Sequence, residues 1–93
     1  MSVTIRVPSQ LRSLTGGAGE VALPAGSVRE MIASLDSQYS GVAERLLDAD
    51  GSLRRFVNVF VGDEDVRFLE GLDTDVHDGQ TMSIVPAVAG GAL

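Results

Sequence analysis

The sequence predicts an α+β fold, a single sheet with one main helix packed across one face. Three observations predict it. Segments whose apolar residues recur at every second position lie near both ends of the chain and in its middle. One segment between them repeats its apolar residues at helical spacing, and the chain, at 93 residues, has room for one domain.

The elements follow in order. Val3, Ile5 and Val7 alternate with Thr4 and Arg6, the pattern of a strand with one buried face, and Pro8 ends it. Ser13 to Gly19 (SLTGGAG) is a turn cluster. Val21 and Leu23 then alternate with Glu20 and Ala22 until Pro24 and Gly26, so the first two strands read as a hairpin. Ser27 and Glu30 form a capping box, in which each side chain satisfies a free backbone N–H at a helix start. Val28, Met31, Ile32, Leu35 and Tyr39 make the apolar stripe of that helix. Gly41 interrupts it, and Val42, Ala43, Leu46 and Leu47 predict a second, short helix that ends in Asp48–Ser52.

Arg55 to Val61 (RFVNVFV) is the strongest β segment. It sets Val57, Val59 and Val61 toward the helix and Phe56, Asn58 and Phe60 on the other face. Gly62–Asp65 reads as a turn, Val66–Phe68 as a short strand, Leu72–Val76 as a single helical turn, and Thr81–Val85 as the last strand, stopped by Pro86. Ala87–Leu93 has too little side-chain volume to pack and is expected to be a mobile tail. The domain therefore spans 1–86 and the tail 87–93.

Composition narrows the function. Thirteen acidic residues face seven arginines and no lysine, a net charge of -6, so the basic stripe that nucleic-acid binding needs is missing. A hydrophobic content of 44% against 22% charged residues is a globular balance. Without cysteine there is no disulfide framework, thiolate zinc site or cysteine nucleophile. No signal-peptide pattern opens the chain and no run approaches the roughly eighteen apolar residues of a membrane span, so no membrane role is expected and the expected location is cytoplasmic.

Motifs for chemistry within the chain are weak. Gly17-Ala-Gly19-Glu-Val-Ala22 satisfies GxGxxA, yet a strand follows it where a dinucleotide site needs a helix. Asp73, Asp75 and Asp78 with Gly79 miss the calcium-loop spacing, and Ile84 stands where the closing Glu belongs. His77 is the one histidine and sits in a turn with no GxSxG elbow anywhere. Asp63-Glu64-Asp65 reads as a solvated turn. No catalytic residue, metal or bound cofactor is expected.

The C-terminus is different. Gly90-Gly91 ends a thread of small residues after a well-formed strand; from Ala87 to Gly91 it spans at most about 17 Å extended, enough to enter a partner's active site. Two residues without Cβ atoms pass a narrow channel and leave a terminal carbonyl open to a nucleophile.

Arg55-Phe-Val-Asn-Val-Phe-Val61, Asp63-Glu-Asp-Val-Arg-Phe68, Asp78-Gly79 and Pro86-Ala-Val-Ala-Gly-Gly91 resemble the ubiquitin-like (β-grasp) sulfur carriers of the MoaD/ThiS family. Tyr39-Ser-Gly41 and Glu44-Arg-Leu46 are most similar to its actinobacterial branch serving cysteine biosynthesis. The resemblance covers essentially the whole chain and implies a β-grasp mixed sheet. It also implies that an E1-like partner uses ATP to adenylate the carboxylate of Gly91, after which a sulfur donor displaces AMP to leave a thiocarboxylate. Gly90 would be the unhindered neighbour, a sulfur-accepting synthase such as a cysteine synthase the recipient, and ATP the partners' business.

Ala92 and Leu93 depart from the mature pattern, since they place another carboxylate beyond Gly91. The resemblance implies their removal by a JAMM-type metalloprotease, which brings its own zinc. Molybdopterin, thiamine and thiosugar pathways use similar carriers. The face away from the helix, with Phe56, Phe60 and Val85 continuing into Val88, is the expected partner-binding surface, with Phe60 its best candidate and acidic residues around it steering toward a basic groove. A ubiquitin-like modifier joined to lysines through Gly91 is the alternative, and an interaction domain that transfers nothing is a third reading.

Overall fold

A computed structural model describes residues 2–86. Strand β1 (Val3–Arg6) buries Val3 and Ile5, and β2 (Glu20–Leu23) buries Val21 and Leu23. A two-residue strand β3 (Gly26–Ser27) leads into helix α1 (Val28–Gln38), and α2 (Val42–Leu46) follows. Strand β4 (Val57–Val61) buries all three valines; β5 (Glu64–Asp65) turns back beside it, β6 (Asp75–Val76) is short, and β7 (Thr81–Pro86) buries Met82 and Ile84.

Five of these strands form one sheet in the order β2-β1-β7-β4-β5. The first and last strands lie side by side in parallel, Thr4 opposite Thr81 and Arg6 opposite Ser83, while the other neighbours are antiparallel. The sheet is therefore mixed, as the resemblance implies, and β1 and β2 pair as the predicted hairpin.

Helix α1 starts as its sequence dictates. The Glu30 N–H donates to Ser27 Oγ at 3.1 Å and the Ser27 N–H donates to Glu30 Oε1 at 2.8 Å, closing the capping box. Gly26 makes room for it, since a Cβ there would stand 2.8 Å from Glu30 Oε1. Val28, Met31, Ile32 and Leu35 are buried against the inward residues of the sheet, a contribution of about 1.5–3 kcal/mol each relative to exposure. At the other end, Asp36 Oδ1 accepts from the N–H groups of Gly41 and Ala43, both at 3.1 Å. That carboxylate ties α1 to the first turn of α2, where Gly41 takes a left-handed φ of 101° that a side chain would resist.

Four readings change. Val66–Phe68 is a 3₁₀ turn, because the Asp65 carboxylate accepts the Arg67 N–H at 2.9 Å and curls the chain while Val66 is buried. The helical turn expected over Leu72–Val76 lies earlier, at Gly71–Asp73. Asp75–Val76 is β6, which pairs with β3 in a second small sheet that local pattern does not reveal. Arg55 and Phe56 stand in a turn closed by the Val57 N–H on the Arg54 carbonyl at 3.0 Å, so β4 begins at Val57. Pro86 does not stop β7 but stays in register opposite Val57. Residues 87–93, read as a tail, lie outside the described residues.

Candidate functional site: the sheet face opposite the helix

Because Val57, Val59, Val61, Met82 and Ile84 turn inward, Asn58, Phe60, Ser83 and Val85 occupy the face opposite α1. Phe60 is half-buried, flanked by Ser83 of β7 and Asp65 of β5. Val85, opposite Asn58, is 44% exposed. Pro86, the last described residue, lies opposite Val57, the neighbour of Phe56, which is 48% exposed. Phe56 and Pro86 thus stand at one end of β4 with Val85 next to them, and Phe60 lies two residues beyond Asn58, the partner of Val85, about 7 Å along the strand at ~3.4 Å per residue. Val88, Gly90, Gly91, Ala92 and Leu93 lie outside the described residues.

Arg67 organises this end. Its guanidinium donates to Asn58 Oδ1 at 2.6 Å and to the Arg54 carbonyl at 2.7 Å, with a longer contact of 3.4 Å to the Arg55 carbonyl. The 3₁₀ turn after β5 is thereby pinned to the turn that carries Phe56. Arg55 in turn places its guanidinium carbon 5.9 Å from the centre of the Phe56 ring. Sequence reasoning passed over Arg67; the one signal for it is Asn58, an acceptor in an otherwise apolar strand. Phe68, 87% exposed, and Leu69, 41% exposed, were also missed as surface apolar residues.

The acidic residues distribute unevenly. Asp63, Glu64 and Asp65 stand at the far end of β4, in the hairpin to β5, while the Phe56 end carries arginines. Of the acids expected around the patch, these three stand at one end, and at the other Asp48 lies 3.5 Å from Arg54.

The weak motifs resolve as ordinary structure. Gly17–Ala22 runs into β2, Asp73 pairs with Arg29 at 3.3 Å, and the His77 N–H donates to Gln80 Oε1 in a turn. Asp50 is held below the usual carboxylate range by the Ser52 N–H, 3.0 Å away, as the cap of a surface turn. Among the described residues, no three His, Asp or Glu side chains gather to hold a metal ion. No helix of the described residues is long and apolar enough to cross a membrane.

A mixed sheet grasping one helix, with the last strand at its centre, defines the class as ubiquitin-like, or β-grasp. Residues 5–91 match the ThiS family, and the chain belongs to it. The sulfur carrier protein CysO of Mycobacterium tuberculosis is 47% identical over 93 residues, covering 98% of this chain and 100% of that protein. The structure matches the Amycolatopsis orientalis BexX/CysO complex with a TM-score of 0.89 at 46% identity, covering 96% of this chain and 99% of that one. Small archaeal modifier protein 3 of Haloferax volcanii is 38% identical over 65 residues, 70% of each chain. These relatives are named as carriers and modifiers, not as enzymes.

Proposed function

We propose that this protein carries sulfur as a thiocarboxylate on Gly91, exposed by removal of Ala92 and Leu93, for use in biosynthesis, cysteine synthesis first. The observation that carries the reading is the 47% identity over the chain to a named sulfur carrier, in a sequence that places Gly90 and Gly91 four and five residues beyond Pro86.

The chemistry requires little of the carrier. A carboxylate resists attack until one of its oxygens leaves as part of a good leaving group. An E1-like partner supplies this by joining the Gly91 carboxylate to the AMP moiety of ATP with loss of pyrophosphate. A sulfide donor then attacks the carbonyl carbon, AMP departs with the former carboxylate oxygen, and the thiocarboxylate remains. A sulfur-accepting synthase takes the sulfur from there, and the match to a BexX/CysO complex supports docking of the body on a partner enzyme. A JAMM-type metalloprotease with its own zinc performs the trimming. ATP places these steps in the cytoplasm. No lysine or cysteine of the carrier competes for its activated terminus.

The test is intact-mass analysis after incubation with the protease, the activating enzyme, ATP and a sulfur source. The expected product lacks Ala92 and Leu93 and is heavier than the trimmed carboxylate by about 16 Da, sulfur in place of oxygen. Sulfur transfer proceeding with both residues retained would refute the trimming step. The likeness to small archaeal modifier protein 3 favours conjugation through Gly91 as a second reading; covalent adducts of the protein on lysines of other proteins are its signature.

A further inference from the structure

We propose that the docking face is electrically polarised, and that its Phe56 end meets an acidic rim around the tail-entry channel of the activating partner, with Phe56 seated in an apolar recess of that rim. The inference rests on the carrier reading above and adds the chemistry of the partner's surface to it.

Two arginines at this end form no ion pair among the described residues. Arg67 donates its guanidinium only to the neutral oxygens of Asn58, Arg54 and Arg55. Arg55 forms no ion pair or side-chain hydrogen bond among the described residues and lies against the Phe56 ring. Arg54 is different, because Asp48 stands 3.5 Å from it. Asp50 lines a surface groove together with Arg67, but its Oδ1 accepts the Ser52 N–H; on the face itself Asp65 sits opposite Phe60 and accepts the Arg67 backbone N–H. In a chain of net charge -6, two unneutralised guanidinium groups beside a half-exposed aromatic ring are a local reversal of sign.

Their position gives the reversal a use. Pro86, the last described residue before Gly90-Gly91, is opposite Val57 at the end that carries these arginines, while Asp63 and Glu64 lie at the other end of β4. The two ends are about 14 Å apart at ~3.4 Å per residue, more than the Debye length of ~8 Å at physiological salt. A partner therefore senses them separately. Carboxylates around the channel mouth orient the body with its Phe56 end over the channel; a body docked the other way round sets Asp63 and Glu64 against those carboxylates. Phe56, already paired with a cation and half-exposed, is the apolar anchor such a rim needs.

The experiment measures adenylation of the carrier trimmed to Gly91 by the E1-like partner as a function of carrier concentration, at low salt and at about 0.5 M salt. Arg55→Glu is expected to raise the KM for the carrier about tenfold at low salt with kcat unchanged, and the effect should shrink at high salt. Arg55→Lys should stay within about twofold of wild type, because the charge persists. A KM for Arg55→Glu within about twofold of wild type, or a rise undiminished by salt, overturns the proposal. Phe60→Ala in the same assay separates the two levels. If it raises KM while Arg55→Glu does not, the face docks and only its polarity is wrong; if neither moves KM, the docking-face assignment itself fails.

Discussion

Replacing Arg67 by methionine keeps an unbranched apolar stem and removes the guanidinium that holds the Phe56 turn. Two of its hydrogen bonds are short, 2.6 Å to Asn58 and 2.7 Å to the Arg54 carbonyl. Charge-assisted bonds of this kind contribute about 1.5–3 kcal/mol each when shielded. Arg67 is exposed, water replaces part of what is lost, and a discounted figure of about 0.5–1 kcal/mol per bond is appropriate. The variant should therefore lose about 1–2 kcal/mol, which for a domain of this size lowers Tm by roughly 5–12 °C. Arg67→Lys keeps the charge but presents a single point of donors that cannot span both acceptors, so about half the loss should remain. Thermal unfolding followed by circular dichroism measures both. A Tm for Arg67→Met within about 1 °C of wild type, or an Arg67→Lys protein that melts with wild type, would refute the clamp.

Other expectations concern the helix that the sheet grasps. Ile32→Ala, at a fully packed position of α1, should cost roughly 2–4 kcal/mol, read as a lower urea midpoint at unchanged slope. Asp36→Ala leaves the Gly41 and Ala43 N–H groups without their acceptor and should cost about 1–2 kcal/mol, most of it restored by Asp36→Asn; equal losses in both variants would count against a capping role. Gly26→Ala and Glu30→Ala should be less than additive, because a Cβ at Gly26 displaces the carboxylate that Glu30→Ala removes. A double mutant whose loss equals the sum of the singles would contradict that.

What was legible in the sequence is whatever depends on near neighbours. The capping box of Ser27 and Glu30, the stripe from Val28 to Leu35 and the inward valines of β4 each follow from periodicities of two to four residues, and each stands where those periodicities put it. Val66–Phe68 misled because its residue types suit a strand, while the Asp65 carboxylate on the Arg67 N–H bends the backbone instead. The β3–β6 ladder was invisible for another reason: each strand is two residues long, too short to show alternation, and exists only because the partner is there.

By itself the sequence determined the class of fold, the main helix and its cap, and which residues of β1, β4 and β7 face inward, together with the family likeness carried by its motifs. Tertiary structure alone decided what shares an end of the sheet. Arg67 and Arg54 are thirteen positions apart, and Phe56 meets the exit of β7 across thirty residues of chain; no periodicity relates such positions. They are brought together by the register of β4 against β7 and by a guanidinium spanning two turns. Hence composition shows only an acidic protein, while the folded chain sets a cluster of arginines at the end of the sheet where Pro86 lies opposite Val57.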